Sequence, residues 1–382
     1  MSVFRISLVF AFFISAHVMI GQNTNDEALQ TPKKFVKYLD VRIENGAMLG
    51  TDSDWSDQIL NSSYYLGVDF RLGFRKTDAN DIYSNVYRRP YFGLGYYSST
   101  FHNEDVGQPN AIYFFLTIPI KFEENKKFTL SYSGAYGISY NFNAFDSISN
   151  PTNVFLGSEK NIYVHLEFLG NYKFNEKWAV NGSIGFKHFS NGSFKQPNYG
   201  INLIPLTLGV SYKFSDNKID HFEKEIPDII KHDLWNIAFI AGSKNYEVGG
   251  DNYLKSTLSV NYLRKLTYKH SVGIGMDFFY SAQSDLRNDS DESDFSKTYS
   301  YAIVASGEWH LTKNLYAPMG IGIYLHRNEG NDEKTPYYER VGMRYRFAQH
   351  YFAGLTIKAH GGAADIFEWT IGYTIQNDPN KY

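Results

Sequence analysis

Residues 199–214 read YGINLIPLTLGVSYKF. In an extended chain, Asn202, Ile204, Leu206, Leu208, Val210, Tyr212 and Phe214 fall on one side, and Leu203, Pro205, Thr207, Gly209, Ser211 and Lys213 on the other. An apolar face backed by small and polar residues is the pattern of a strand with lipid outside and a polar barrel interior inside. Similar runs occur near 35–49, 62–76, 87–101, 110–122, 127–142, 160–174 and 176–190, which with 199–214 makes eight. Pro119 and Pro205 each remove one ladder donor and predict local bulges or strand ends.

The connections follow the same logic. Glu123 to Lys127 and Asn175 to Glu176 are tight turns, whereas 46–61, 102–109, 143–159 and 191–198 are long and polar, as a barrel with short turns on one side and long loops on the other requires. The 77–86 connection is longer than such a turn needs. A charged stretch without alternation, 215–233 (SDNKIDHFEKEIPDIIKHD), reads as a linker with room for a short interfacial helix. Eight further candidate strands lie near 234–244, 253–265, 269–282, 298–311, 314–326, 337–348, 350–360 and 365–375, with long loops at 284–297 and 327–336. The fold class is therefore all-β, a transmembrane antiparallel β-barrel. Two tandem eight-stranded units, 35–214 and 234–375, are expected; one sixteen-stranded barrel is the alternative that strand counting leaves open.

Composition agrees. Of 382 residues 17% are aromatic, including 31 Tyr, which suits the girdles of a membrane barrel. The absence of cysteine excludes a disulfide scaffold, a Cys-ligated zinc site and a thiol nucleophile. A net charge of −3 without a basic block lacks the electrostatic footprint of a nucleic-acid binder. The first residues, MSVFRISLVFAFFISAHVMIGQ, have one cation (Arg5), an apolar stretch from Ile6 to Ile20 and Gly21. That is the anatomy of a secretory signal peptide, 1–22, cleaved near Gly21 or Gln22, with an N-terminal anchor as the competing reading. No cysteine follows the apolar stretch, so lipoprotein processing is excluded. Beyond residue 22 nothing approaches the ~20 apolar residues of a membrane helix.

The chemistry is concentrated in Lys187 to Leu203, KHFSNGSFKQPNYGINL. His188 and Ser190 share a strand face with Phe186 and Ile184, which makes it the lipid-facing one. A polar pair there calls for a reason, unless both residues lie above the bilayer without a role. The run His188-Phe189-Ser190-Asn191, followed by Pro197-Asn198, Gly200 and a last alternating strand, resembles the PagL-type lipid A 3-O-deacylases. The resemblance covers about residues 35–214. It implies an eight-stranded outer-membrane barrel with the motif on its penultimate strand, facing the membrane. It also implies an esterase acting on an ester-linked acyl chain of lipid A in lipopolysaccharide, without metal or cofactor. Carried over, Ser190 is the nucleophile, His188 its general base and Asn191 a support for the oxyanion.

One position departs from the family, whose third member is a glutamate twelve residues beyond the serine; here that residue is Asn202. An amide oxygen can accept the imidazole N–H and fix its tautomer, but it cannot stabilise the imidazolium as a carboxylate does. The expectation is a weak deacylase. The alternative is a non-enzymatic barrel, structural or adhesin-like, that has lost the triad acid. A porin ranks third, because side chains fill an eight-stranded lumen.

Substitute acids are few. Alternation turns Glu167 and His165 into the lumen with Lys187, and Asp146 and Glu159 fall on a long outer loop. In the second half, His360, Asp365 and Glu368 are candidates for another site. There Glu368 is expected to point inward and neutralise the inward row Arg340, Arg344 and Arg346. The run Asp289 to Asp294 (DSDESD) reads as a solvated acidic loop rather than a divalent-cation site.

Overall fold

The computed structural model describes residues 35–50, 54–121, 123, 126–215, 226–282 and 297–376. The signal peptide expected at 1–22 and the acidic run Asp289 to Asp294 lie outside these residues, as does the middle of the 215–233 linker.

Eight strands form the first sheet: β1 (Phe35–Leu49), β2 (Leu66–Lys76), β3 (Tyr91–Thr100), β4 (Gly107–Pro119), β5 (Phe128–Phe142), β6 (Asn161–Lys173), β7 (Trp178–Ser190) and β8 (Ile201–Lys213). Eight more follow: β9 (His232–Asn245), β10 (Asn252–Lys265), β11 (His270–Ser281), β12 (Tyr299–His310), β13 (Leu315–His326), β14 (Tyr337–Phe347), β15 (Tyr351–His360) and β16 (Ala363–Gln376). Every neighbouring pair is antiparallel. β1 closes on β8 from Tyr38↔Lys213 to Leu49↔Asn202, and β16 closes on β9 from Glu368↔Gly242 to Gln376↔Leu234. The result is two closed eight-stranded barrels, not one of sixteen strands. Closure leaves no sheet edge, which is what lets strands pair all their backbone groups in lipid. No helix among the described residues is long and apolar enough to cross a membrane.

Outward residues such as Leu206, Leu208, Ile321 and Ile371 are exposed, while the inward rows are buried and polar. In the first lumen Arg42 meets Glu167 at 2.6 Å and Ser183 at 2.7 Å, and Arg71 meets Glu167 at 2.7 Å and Asp69 at 3.0 Å. Lys187 pairs with Glu44, and Tyr91 donates to Asp40 at 2.7 Å. In the second lumen Arg340 bonds Asp277 and Glu368, while Asp365 gathers Lys244, Lys255 and Lys358. Burying a charge is costly unless it is paired, and these pairs cross both lumens.

Three features depart from expectation. Pro119 ends β4, but Pro205 sits inside β8 with the register unchanged on both flanks; the β7–β8 pairing merely lapses between Ile184↔Leu206 and Lys187↔Leu203. The stretch 46–61 is not all loop, since β1 runs to Leu49 and α1 (Asp54–Ser62) follows. The long 77–86 connection holds α2 (Ile82–Val86), started by Asp81, whose carboxylate accepts the Ser84 N–H at 2.6 Å.

The length of that connection has a use. We call the rim carrying both ends of each barrel the inner rim and the opposite one the outer. At the inner rim the Tyr87 hydroxyl donates to the His310 carbonyl at 2.5 Å, and Tyr87 and Tyr83 pack against Trp309 and Tyr268. At the outer rim the Asn245 N–H donates to Ser193 O at 2.8 Å, Ser193 Oγ donates to Ala364 O at 3.2 Å, and Gln196 Nε2 donates to Asn245 O at 3.2 Å. The two barrels therefore touch at both rims.

Candidate functional site

His188 and Ser190 end β7 at the outer rim. The β7–β8 register sets His188 opposite Asn202, so the strand period of two puts all three side chains outside the barrel. His188 Nε2 lies 2.8 Å from Ser190 Oγ, and His188 Nδ1 lies 2.6 Å from Asn202 Oδ1. A carbonyl oxygen can only accept, so Nδ1 carries the ring proton and Nε2 is left to accept from the serine hydroxyl. Although it faces outward, Ser190 is only 5% exposed.

The loop after Ser190 is braced by its neighbours. Gly157 N–H donates to Pro197 O at 2.6 Å and Gly200 N–H to Phe155 O at 2.9 Å, which ties the β7–β8 loop to the β5–β6 loop. Asn191 is the knot: its backbone N–H donates to Asn198 Oδ1 at 3.0 Å, and its Nδ2 donates to Ser158 Oγ at 3.1 Å and Lys195 O at 2.9 Å. Both amide hydrogens expected to serve an oxyanion are thus engaged in holding the loop. Ser158 carries no signal in the sequence and enters the site only through this contact. Gly200 has φ +76°, and a Cβ there would lie 2.7 Å from His188 Cε1, so both its backbone and its neighbour require glycine.

The other candidates are elsewhere. Glu167 is in the lumen as expected, but it bonds Arg42 and Arg71 rather than Lys187, and His165 Nε2 lies 3.9 Å from it. Asp146 accepts the N–H groups of Ile148 and Ser149 and so fixes its own turn, and the Glu159 carbonyl accepts from Phe142. His360 Nε2 meets the Tyr324 hydroxyl at 3.0 Å inside the second lumen. Glu368 neutralises Arg340 only; Arg344 and Arg346 lie over the Phe352 and Tyr316 rings.

Comparison with known proteins bears on both barrels. Residues 70–211 match the family model of the lipid A 3-O-deacylase (PagL), and residues 233–377 match that of the acyloxyacyl hydrolase C-terminal domain. No curated protein matches the chain. Among solved structures, the siderophore receptor PirA from Pseudomonas aeruginosa is similar at 8% identity over 90% of this chain and 80% of that one, with a TM-score of 0.23. The outer membrane protein Omp33 from Acinetobacter baumannii is similar at 7% identity over 90% and 98%, with a TM-score of 0.16. Likenesses so slight carry no argument, and the fold rests on the strand pairing itself. The two family models lie in tandem, one over most of the first barrel and one over the second, and between them cover most of the chain. The chain belongs to the lipid A 3-O-deacylase (PagL) family.

Proposed function

We propose that this protein is an outer-membrane esterase that removes an ester-linked acyl chain from lipid A by a serine–histidine mechanism. Family membership supports the substrate, and one observation carries the mechanism: the hydrogen-bonded chain Ser190–His188–Asn202 on the outer wall at the rim. Ser190 Oγ attacks the ester carbonyl while His188 Nε2 takes its proton. The tetrahedral intermediate collapses, the C–O bond to the sugar breaks, and His188 returns the proton to the departing alcohol. Water then attacks the acyl-serine with His188 again as base, and the free fatty acid leaves. Asn202 holds the ring in the tautomer that both steps need. Asn191 would serve the oxyanion only by giving up its bond to Ser158 or to Lys195. Outward placement lets the acyl chain remain in lipid while its ester meets the nucleophile.

The test is mass spectrometry of lipid A from outer membranes with and without the protein. The expected result is a species lighter by one ester-linked acyl chain; unchanged lipid A would overturn the reading. The departure at Asn202 favours the second reading, a barrel that keeps the fold and has lost the activity, and the same spectra decide between them.

Gly200→Ala supplies a local check. The added methyl meets His188 Cε1, and the left-handed backbone strains an L residue by about 1–3 kcal/mol. Since a displacement of about 1 Å can cost 10²-fold in rate, deacylation should fall about 100-fold with the barrel still assembled. Wild-type turnover in this variant would show that the ring's position does not matter.

A further inference from the structure

We infer that the second barrel completes the acyl-chain site, with Phe367 as its specificity-determining wall; this rests on the esterase reading above. Phe367, Trp369 and Ile371 form the outward row of β16. Trp369 and Ile371 are 58% and 57% exposed, whereas Phe367 is half-buried. The difference is the loop that follows Ser190. A Cβ built on Gly192, which has φ +62°, would lie 2.9 Å from Phe367 Cβ, so the backbone two residues beyond the nucleophile rests directly on this aromatic residue. Ser193 is tied to Ala364 O, and the Asn245 N–H to Ser193 O, which fixes the separation. Ser190, two residues before that contact, faces outward yet is only 5% exposed.

The occupant of the space beside it is the substrate's own acyl chain. On the first barrel's side the wall below the nucleophile is Phe186, Ile184 and Leu206, all exposed and apolar. On the other side it is Phe367. An ester seated at Ser190 has its carbonyl at the rim, and its hydrocarbon runs down between these surfaces. A single barrel wall would cover one side of that chain; Phe367 covers a second. Each methylene removed from contact loses about fourfold in binding, so an aromatic wall spanning two to three methylenes is worth about 15- to 60-fold on a long chain and nothing on a chain too short to reach it.

The experiment uses the full-length protein in detergent with p-nitrophenyl esters from four to sixteen carbons. Phe367→Ala should lower the ratio of kcat/KM for the sixteen-carbon ester over the four-carbon ester at least tenfold, and Phe367→Trp should keep it within threefold of wild type. Ile323→Ala, exposed on β13 three strands round the same barrel from β16, serves as control and should leave the ratio unmoved. An equal loss on both esters would assign Phe367 a merely structural role and overturn the proposal, as would an unchanged ratio. Binding is read separately with an amide-linked, non-hydrolysable palmitoyl chain bearing a diazirine. Photolabelling should fall on residues 363–376 and on β7–β8, and be displaced by lipid A. Labelling spread evenly over all outward strands overturns the proposal whatever the activity. Focused labelling in a protein that cleaves no ester would sink the serine–histidine reading and leave the acyl site standing.

Discussion

Ser190→Ala is expected to lower deacylation by about 10² to 10⁶-fold. The upper figure is what loss of the nucleophile costs in a serine protease with a complete triad, and the lower applies if the amide already holds the natural site about 10⁴-fold below that level. His188→Ala should cost about as much, and the double variant no more than either single one, because nucleophile and base act as one unit. Both side chains lie outside the lumen, so the barrel should assemble normally, as judged by heat-modifiable mobility on gels. Activity retained in Ser190→Ala would place the chemistry elsewhere.

Asn202→Glu is expected to move the rate in the opposite direction, by on the order of 10- to 10⁴-fold upward. The amide supplies the acceptor, at 2.6 Å from His188 Nδ1, but no charge to stabilise the imidazolium. It can also turn its nitrogen to the ring, which would select the unproductive tautomer; a carboxylate has two oxygens and no such wrong end. The geometry adds a refinement. Asparagine already reaches the ring, so Asn202→Asp is isosteric and should equal or exceed Asn202→Glu, whose extra methylene must fold back. A carboxylate near the rim should cost at most about 1 kcal/mol of stability. The readout is purified lipid A hydrolysed by the three proteins across pH. A fall in rate for both variants would mean that the site has adapted to the amide.

Much of this architecture was legible in the sequence because lipid and lumen impose a period of two on every strand. Phe35–Leu49 and Phe128–Phe142 fall where alternation puts them, within a residue. Closure was not legible: whether Leu49 pairs with Asn202 or the sheet runs on into β9 depends on residues far apart in the chain. Nor were lumen partners, since alternation says that Glu167 points inward but not which cations share its level across the barrel. At the site, spacing was enough to bring His188, Ser190 and Asn202 to one face. It could not show that Asn191 spends its amide on Ser158 and Lys195, nor that Phe367 arrives from the other barrel, because loop bracing and docking leave no periodic trace.

The barrels meet through α2 and its flanks at one rim and through the β7–β8 loop at the other, while Leu208 and Phe239 between the rims stay exposed. The acyl site inferred above, between barrels joined at top and bottom, would open only sideways. Whatever reaches it has first dissolved in the surrounding bilayer and travels in two dimensions. The relevant concentration is then the mole fraction of substrate within the leaflet, not its molarity in the suspension. Surface dilution by an inert lipid should slow such a catalyst, while adding buffer should leave it indifferent.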